Sequence, residues 1–332
     1  MSQPPDDSLS CSSVECQRDS RNESRAAWAV HPQPLDGESM ESWIGRLAYE
    51  NGYSFYQFTY QYLQSWGNLE VFDYDFLPCD SPASELLSHQ LTGGKEKAFR
   101  MTLLSYGLLL SSNPTTLRSW ATLRDRKRYC PICLSKTEHP YYQLVWRLLP
   151  VTVCLQHKVL LRDTCGNCDA PVRLWGASLE DNIHTCQQCG SPLYDSETKA
   201  VNSQEEGLSA VSDLLRILNG EQVPKKLRWP YGSLELFDTL QFLAKFLRVR
   251  DIKSGDVCTS WHVKWRLDRS IDVPATYDLF ARAWSLLVDF PTRIIPFLRE
   301  NQSELDASIW RPRPRSLRYL SNPGRPRGVL PR

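Results

Sequence analysis

Eight cysteine and histidine residues in the middle of the chain form four pairs, each with two residues between its members. The pairs are Cys130 with Cys133, Cys154 with His157, Cys165 with Cys168, and Cys186 with Cys189. Two intervening residues let both side chains of a pair point at one centre, and thiolates with imidazole are ligands that zinc prefers. Four such ligands fill a tetrahedral shell and leave no position for water or substrate. The spacing therefore predicts two structural Zn²⁺ ions.

The sequence alone leaves open which two pairs share an ion. Sequential pairing joins the first pair with the second and the third with the fourth, whereas interleaved pairing joins the first with the third. Sequential pairing is favoured because each set then closes a compact ribbon of ordinary loop length. An iron–sulfur cluster is disfavoured because histidine is atypical in such a ligand set. His139 and His184 lie nearby without the two-residue spacing and are expected at the surface.

The composition is that of a globular protein with more than one domain. The chain has 332 residues, of which 41% are hydrophobic, enough for two or three domains. Its 39 basic and 38 acidic residues nearly cancel, so the total charge does not indicate a nucleic-acid partner. We find no apolar run long enough to span a membrane and no secretory signal. The eleven cysteines therefore favour metal binding in a reducing cytoplasm over disulfides.

Helical patterns flank the ligands, so the predicted fold is mainly α with small β zinc ribbons. Before the ligands, Ser39 and Ser54 are predicted N-caps of two short helices, and Gly52 is the predicted stop of the first. Residues 92–94 form a predicted turn between a short helix and a longer one over 95–110. This pair resembles a helix-turn-helix, for which an ordinary helical hairpin is the alternative.

Beyond the ligands, apolar residues recur at helical spacing in three stretches, and a short helix follows them. The stretches cover 208–218, 237–247 and 279–287, and the short helix covers 294–298. These patterns predict a domain organisation of five parts. The parts are a disordered tail (1–27), an N-terminal helical or helix-turn-helix domain (28–123), a tandem zinc-ribbon module (124–195), a C-terminal helical domain (205–310) and a basic disordered tail (311–332).

Two groups of cations are candidates for contacting a nucleic acid or a protein partner. One group leads into the ligand region, and the other belongs to the tail over 311–332, which has seven arginines, five prolines and no acid. No folded core explains such a tail, so it is available to an anionic partner. The first group comprises Arg124, Arg126, Lys127 and Arg128, and the second comprises Arg311, Arg313, Arg315, Arg318, Arg325 and Arg327.

Three sets of motif residues share their order and character with one protein family. The first set is Pro34-Leu35-Asp36-Gly37-Glu38-Ser39 with Ser42-Trp43-Ile44-Gly45-Arg46-Leu47-Ala48, the second is Leu91-Thr92-Gly93 with Met101-Thr102-Leu103, and the third runs from Tyr129-Cys130-Pro131-Ile132-Cys133-Leu134 through Trp146-Arg147-Leu148 and Val153-Cys154-Leu155-Gln156-His157 to Cys165-Gly166-Asn167-Cys168. In combination they resemble the TniQ family (TniQ/TnsD-like) over about residues 32–190. From about residue 205 onward the resemblance is loose.

The resemblance implies a role in choosing where a mobile element inserts. TniQ-like proteins link a target-recognition system, either a DNA site or a CRISPR RNA-guided complex, to an AAA+ ATPase regulator of transposition (TnsC-like). That regulator in turn recruits the transposase. The resemblance therefore implies an adaptor in the bacterial cytoplasm, associated with the nucleoid, and it allows a homodimer.

Two other classes of function stand beside the adaptor. A stand-alone, sequence-specific, zinc-containing DNA-binding transcriptional regulator would use the same helix-turn-helix and basic tail. An enzyme is disfavoured, because metal-dependent phosphoryl transfer needs carboxylates clustered around an open metal site, and the sequence indicates no catalytic residues. The sequence also has no Gly-x-x-x-x-Gly-Lys phosphate-binding motif, so ATP use would belong to a partner.

Overall fold

The computed structural model describes residues 28–63, 73–110, 117–122, 126–174, 183–254 and 272–302, together with Pro314 and Leu317. These residues form a mainly helical fold in which the paired strands are two residues long. The elements before the ligands are α1 (Met40–Glu50), α2 (Phe55–Phe58), α3 (Pro82–Ser88), α4 (Gly94–Arg100) and α5 (Gly107–Leu110). The later elements are α6 (Pro131–Lys136), β1 (Val153–Cys154), β2 (Val159–Leu160), α7 (Glu206–Leu218), α8 (Ser233–Ser254), α9 (Val273–Ser285) and α10 (Ile294–Glu300).

The first two helices begin at the predicted serine caps. The Ser39 side chain accepts a hydrogen bond from the Ser42 N–H, and Gly52 follows α1 with a φ of 76°. Ser54 and Gln57 cap α2 reciprocally, each side chain accepting a hydrogen bond from the other residue's backbone N–H. Side-chain caps of this kind satisfy N–H groups that have no partner inside a helix. Both predicted caps and the glycine stop are confirmed.

The helix predicted over 95–110 is interrupted at Met101 and Thr102. Thr102 has an extended backbone (φ −111°, ψ 155°), and a 3-10 turn, Leu103–Tyr106, separates α4 from α5. The N–H of Met40, at the start of α1, donates a hydrogen bond to the Met101 carbonyl at 2.8 Å. The start of α1 therefore occupies the Met101 carbonyl, which a continuous helix would use for its own backbone hydrogen bond. The prediction of one long helix is wrong, and the second helix of this hairpin has seven residues.

The three apolar stretches beyond the ligands form α7, α8 and α9. Helix α9 packs against both α7 and α8, and α8 also packs against α5. The large buried apolar residues of α7 lie on one face: Leu208, Val211, Leu214, Ile217 and Leu218. Helix α8 spans 22 residues, but within the described ranges we find no helix that is both long and apolar enough to cross a membrane.

Two large hydrophobic cores organise the described residues. The first gathers α1 to α4 around side chains such as Trp43 and Phe58. The second includes Tyr129 of the ligand region together with residues of α7, α8 and α9. The ligand region and the C-terminal helices thus share one core, which crosses the boundary predicted between 124–195 and 205–310.

One residue of the predicted C-terminal tail belongs to the second core. Leu317 is 1% exposed, and its N–H donates a hydrogen bond to the Pro314 carbonyl at 3.1 Å. The prediction of disorder over 311–332 is wrong at this point, because the leucine side chain is buried. The tail arginines and the predicted tail over 1–27 lie outside the described residues.

Candidate metal centres

The first two ligand pairs converge on one centre. The Sγ atoms of Cys130, Cys133 and Cys154 and a ring nitrogen of His157 all lie within 4.8 Å of one another. The facing nitrogen is Nδ1, which lies 3.5 Å from Cys130 Sγ, 3.3 Å from Cys133 Sγ and 3.5 Å from Cys154 Sγ. The Sγ atoms of Cys133 and Cys154 are 3.6 Å apart. We call this group the cysteine-histidine centre.

The last two pairs converge on a second centre, which we call the four-cysteine centre. Its four Sγ atoms also lie within 4.8 Å of one another. Cys165 and Cys189 are 3.7 Å apart at Sγ, and Cys168 and Cys186 are likewise 3.7 Å apart. Cys189 is the exposed member of the set. The structure therefore groups the ligands sequentially along the chain.

The distances within both centres suit a tetrahedral zinc ion. With Zn–S near 2.3 Å and Zn–N about 2.0–2.1 Å, a tetrahedron places two sulfurs about 3.8 Å apart and a sulfur and a nitrogen about 3.5 Å apart. The observed separations of 3.6 and 3.7 Å between sulfurs and 3.3 to 3.5 Å between sulfur and nitrogen are close to these values. A zinc ion bound by all four ligands would have no open position, which is the property of a structural site.

The three thiols of the cysteine-histidine centre shift one another's pKa values. Contact with the Cys130 and Cys154 sulfurs raises the pKa of Cys133 far above that of an ordinary thiol. Contact with Cys130 and Cys133 lowers the pKa of Cys154. A divalent cation would allow all three to ionise, because it offsets their negative charge.

Three of the four ligand pairs are shaped by the same tight turn. In each turn the N–H of the fourth residue after the first ligand donates a hydrogen bond back to that ligand's carbonyl, at 2.7 to 3.0 Å. The donors are Lys158, Asp169 and Gly190, whose φ angles are 54°, 55° and 70°. Glycine adopts this left-handed conformation at least cost, so Lys158 and Asp169 mark places where the turn is needed despite the side chain.

The two halves of the four-cysteine centre repeat each other's hydrogen bonds. The N–H of Cys165 donates to the Ala170 carbonyl, and the N–H of Cys186 donates to the Ser191 carbonyl, both at 2.9 Å. Within each turn, a backbone N–H two residues after the first ligand also points at that ligand's sulfur, at 3.4 Å. Such donors stabilise thiolate charge, since they place positive dipoles next to it.

The remaining pair is held by a helix start. Cys130 is the N-cap of α6 and Pro131 occupies the first turn. Proline is tolerated there because the missing N–H would have no partner inside the helix. Cys133 follows within the first turn of α6, so the helix orients both sulfurs toward the cysteine-histidine centre.

The N-terminal motif residues form a buried network that reaches the ligand region. Glu38 accepts hydrogen bonds from Arg46 Nε and Nη2, at 2.9 and 2.7 Å, and from the Ser42 hydroxyl at 2.9 Å. The Ser42 hydroxyl oxygen accepts from the Tyr142 N–H at 2.9 Å, and the Ser39 N–H donates to the Tyr142 carbonyl at 2.9 Å. Tyr142 lies in the loop that joins the two ligand pairs of the cysteine-histidine centre, so this network fastens α1 to that centre.

A second link between these regions is a buried ion cluster of Glu41, Asp73, Asp75, Lys127 and Arg147. Lys127 Nζ lies 2.6 Å from Glu41 and 3.5 Å from Asp75. Arg147 pairs with Asp73 at 2.7 Å and with Asp75 at 2.9 Å. The three carboxylates are close enough to hold a metal ion, but the ammonium and guanidinium groups already contact their oxygens. We therefore interpret the cluster as a structural contact and not as a third metal site.

The structure corrects the prediction that Lys127 and Arg128 contact a nucleic acid or a partner. Lys127 is 1% exposed because it belongs to the buried ion cluster. Arg128 is 4% exposed, and its guanidinium donates hydrogen bonds to the carbonyls of residues 148, 149 and 151. Burial lowers the pKa of Arg128 to about 10.

The other predicted contact residues are placed differently. Arg126 is partly exposed and pairs with Asp163 at 3.2 Å. Arg124 and the six tail arginines lie outside the described residues. His139 is exposed and His184 is half-buried, and neither belongs to a group that could hold a metal within the part of the chain that the structure describes.

Sequence reasoning missed the buried ion cluster. Its members come from four separated segments, and charged residues are rarely buried without a partner. A weak signal does exist, because Arg147 interrupts the apolar run over 144–149. Such a position predicts a buried charge but does not name the partner.

One family model matches part of the chain. Residues 29–161 match the family model described as TniQ. The matched segment contains α1 to α6, both strands and all four ligands of the cysteine-histidine centre, and it ends before the four-cysteine centre. No curated protein matches this chain. The resemblance inferred from the sequence is confirmed over the matched residues.

Proposed function

We propose that this chain, which carries a TniQ domain, acts in the selection of transposition targets as an adaptor without chemistry of its own. In this role it links a target-recognition system to an AAA+ ATPase that regulates transposition, and through that ATPase to the transposase. The observation that carries the proposal is the TniQ match over residues 29–161. A role in transposition-associated target selection follows at the level of the family, and the adaptor role is the finer step that we propose.

The two metal centres support a role in binding over one in catalysis. Each centre gathers four ligand atoms within 4.8 Å, and four ligands complete the shell of zinc. Metal-assisted hydrolysis needs an open coordination position for water. The carboxylates of Glu41, Asp73 and Asp75 do not supply one, because Lys127 and Arg147 contact their oxygens.

The connections between the helices and the metal centres support a rigid scaffold. The Glu38 network and the buried ion cluster both join the region of α1 to the segment around the cysteine-histidine centre. The second core then joins that segment to α7, α8 and α9. An adaptor that holds two partners in a fixed relation benefits from such continuity, because relative motion of its parts would add an entropic cost to joint binding.

We propose that nucleic-acid contacts, where the chain makes them, come from Arg124, Arg126 and the C-terminal arginines. These residues replace the larger predicted set, since Lys127 and Arg128 are buried. Phosphate contacts of this kind contribute affinity without reading sequence. The sequence of a target would then be read by a partner or by a guide RNA.

The test is recovery of partners on the tagged full-length chain from its native cell, with the tag alone as control. Recovery of an AAA+ ATPase supports the adaptor, and Cas proteins in the same fraction would identify an RNA-guided route. A chain that binds one duplex sequence-specifically and recovers no AAA+ ATPase would contradict the adaptor. That result would support the stand-alone transcriptional regulator, for which the helical hairpin of α3 and α4 is the candidate reading element.

A further inference from the structure

We propose that Tyr129 couples the two metal centres, so that an ion bound in one centre raises the affinity of the other centre for its ion. The proposal concerns the metal-binding region itself and does not depend on a role in transposition. It rests on three contacts: the backbone pairing of Tyr129, the hydrogen bonds of its hydroxyl, and the packing of the segment that supplies Ser196.

The first contact is the backbone pairing of Tyr129 with Arg162, which joins the segments that carry the two centres. Tyr129 directly precedes Cys130, the first ligand of the cysteine-histidine centre. Its N–H donates to the Arg162 carbonyl at 2.8 Å, and its carbonyl accepts from the Arg162 N–H at 2.9 Å. Arg162 lies three residues before Cys165, the first ligand of the four-cysteine centre. One short antiparallel bridge therefore positions the first ligand of each centre.

The hydroxyl of Tyr129 also makes hydrogen bonds to residues of the four-cysteine centre. It donates to the Thr164 carbonyl at 2.9 Å and lies 2.9 Å from the Ser196 hydroxyl oxygen. That oxygen accepts a hydrogen bond from the Gly166 N–H at 3.1 Å. All groups are satisfied when Gly166 donates to Ser196, Ser196 to Tyr129 and Tyr129 to Thr164. Thr164 and Gly166 flank Cys165, so this hydrogen-bonded ring encloses a metal ligand.

Ser196 connects the ring to the other half of the four-cysteine centre and back to the cysteine-histidine centre. It follows a 3-10 turn, Leu193–Asp195, that comes shortly after Cys186 and Cys189. This turn packs against α6, the helix that carries Cys133. The contact with Gly166 is close, because a Cβ at that position would lie 2.7 Å from Ser196 Oγ and 2.9 Å from its Cα. Movement of Ser196 is therefore transmitted to the loop that holds Cys165.

The expected consequence is reciprocal. When the four-cysteine centre loses its ion, its turns lose the ligand bonds that hold them, and Thr164, Gly166 and Ser196 are released from Tyr129. The residue before Cys130 then loses its side-chain anchor, which weakens the cysteine-histidine centre. Linkage requires that an effect of one ion on the affinity for the other operates equally in both directions.

The test is a double-mutant cycle on the full-length chain, with cobalt(II) in place of zinc so that absorption reports each centre. Cys189→Ser opens the four-cysteine centre, and titration against a competing chelator then gives the affinity of the cysteine-histidine centre for its ion. We expect this affinity to be about fivefold or more lower than in the parent chain, the low end of coupling between sites. Tyr129→Phe keeps the aromatic side chain and removes the hydroxyl. In that background the ratio of the affinities measured with and without Cys189→Ser should therefore fall toward one.

The matched control is Tyr142→Phe. Tyr142 is also buried, but its hydroxyl has no hydrogen-bond partner among the described residues, so this change should leave the ratio as it is in the parent. A ratio near one in the parent chain, or an unchanged ratio in Tyr129→Phe, would overturn the proposal. If Cys189→Ser does not fold, the reciprocal cycle applies. Cys133→Ser opens the cysteine-histidine centre, and Ser196→Ala removes the hydrogen bonds to Tyr129 and Gly166. The affinity of the four-cysteine centre for its ion is then judged by the same two criteria.

Discussion

At the scale of single residues, each metal ligand is required because the other three cannot complete a tetrahedral shell. We expect Cys165→Ser to lower the zinc content from two ions per chain to one and to unfold the loops of the four-cysteine centre locally, since binding contributes roughly 10–16 kcal/mol in zinc-finger peptides. Metal content is measured by elemental analysis of the purified chain. Cys79→Ser is the control, because Cys79 is exposed and outside both centres. Full zinc content in Cys165→Ser would contradict the assignment.

The buried ion cluster allows a second prediction at this scale. Lys127→Met should lower the free energy of unfolding by about 3–5 kcal/mol, because it leaves buried carboxylates without one of their two cations. The control is Arg126→Met, whose partly exposed pair with Asp163 should contribute less than about 1 kcal/mol. Urea denaturation of both variants measures the difference. Equal stability of the two variants would show that Lys127 is not needed to balance the cluster.

The same substitution should make stability depend on pH. Burial raises the pKa of Glu41, and Lys127 opposes that rise, so Lys127→Met should raise the pKa further. A carboxyl whose pKa is higher in the folded state loses stability as pH rises from its ordinary value through the folded one. The destabilisation caused by Lys127→Met should therefore be smaller near pH 5.5 than near pH 8. If Lys127→Met lowers the free energy of unfolding more near pH 5.5 than near pH 8, this prediction is wrong.

At the scale of elements, the packing of α9 on α7 depends on one glycine. A Cβ on Gly207 in α7 would lie 2.6 Å from both Cε2 and the hydroxyl oxygen of Tyr277 in α9. Alanine is favoured over glycine inside a helix by roughly 0.5–1 kcal/mol, whereas overpacking costs about 1–3 kcal/mol. We therefore expect Gly207→Ala to destabilise the chain, as measured by thermal unfolding.

Two further variants test that explanation. Tyr277→Leu should restore the stability of Gly207→Ala, because the shorter side chain leaves space for the Cβ. Gly232→Ala should be nearly neutral, since a Cβ there would contact nothing within 4 Å. If Gly207→Ala stabilises the chain, the two helices must separate at little cost.

The elements that the sequence predicts correctly are those with local signals. Ser39 and Ser54 cap α1 and α2 through hydrogen bonds within four residues, so their effect is visible in the sequence. The break at Thr102 is not visible in the sequence, because it depends on a hydrogen bond between Met40 and Met101, which are sixty-one positions apart. The ligand pairs can also be predicted from the sequence, since two-residue spacing is a local pattern.

Lys127 and Arg128 are features that depend on contacts between distant parts of the chain. As part of a basic run they resemble a surface for phosphates, yet their partners are acids and carbonyls that come from distant parts of the chain. Only the tertiary fold shows that these charges are already paired. The same reasoning explains why Tyr129 and Ser196, 67 positions apart, could not be paired from the sequence.

At the scale of the whole molecule, the C-terminal tail divides at Leu317. Leu317 is buried in the second core, whereas the arginines on either side of it in the sequence are among the proposed contacts for an anionic partner. Deletion of 311–332 should therefore lower the free energy of unfolding by about 1.5–3 kcal/mol, the value of burying one leucine side chain. Deletion of 318–332 should leave stability nearly unchanged, because it keeps Leu317.

Both deletions should weaken binding to DNA, and the salt dependence separates charge from folding. Each lost phosphate contact lowers the slope of log affinity against log salt by about 0.9 for duplex DNA. The deletion of 318–332 removes Arg318, Arg325, Arg327 and Arg332, so the slope should fall while the fold stays intact. Replacing these four arginines with glutamine should reproduce that change without shortening the chain. An unchanged slope in both variants would mean that the tail does not contact phosphates, and the contacts would have to be sought among the exposed cations of the folded part.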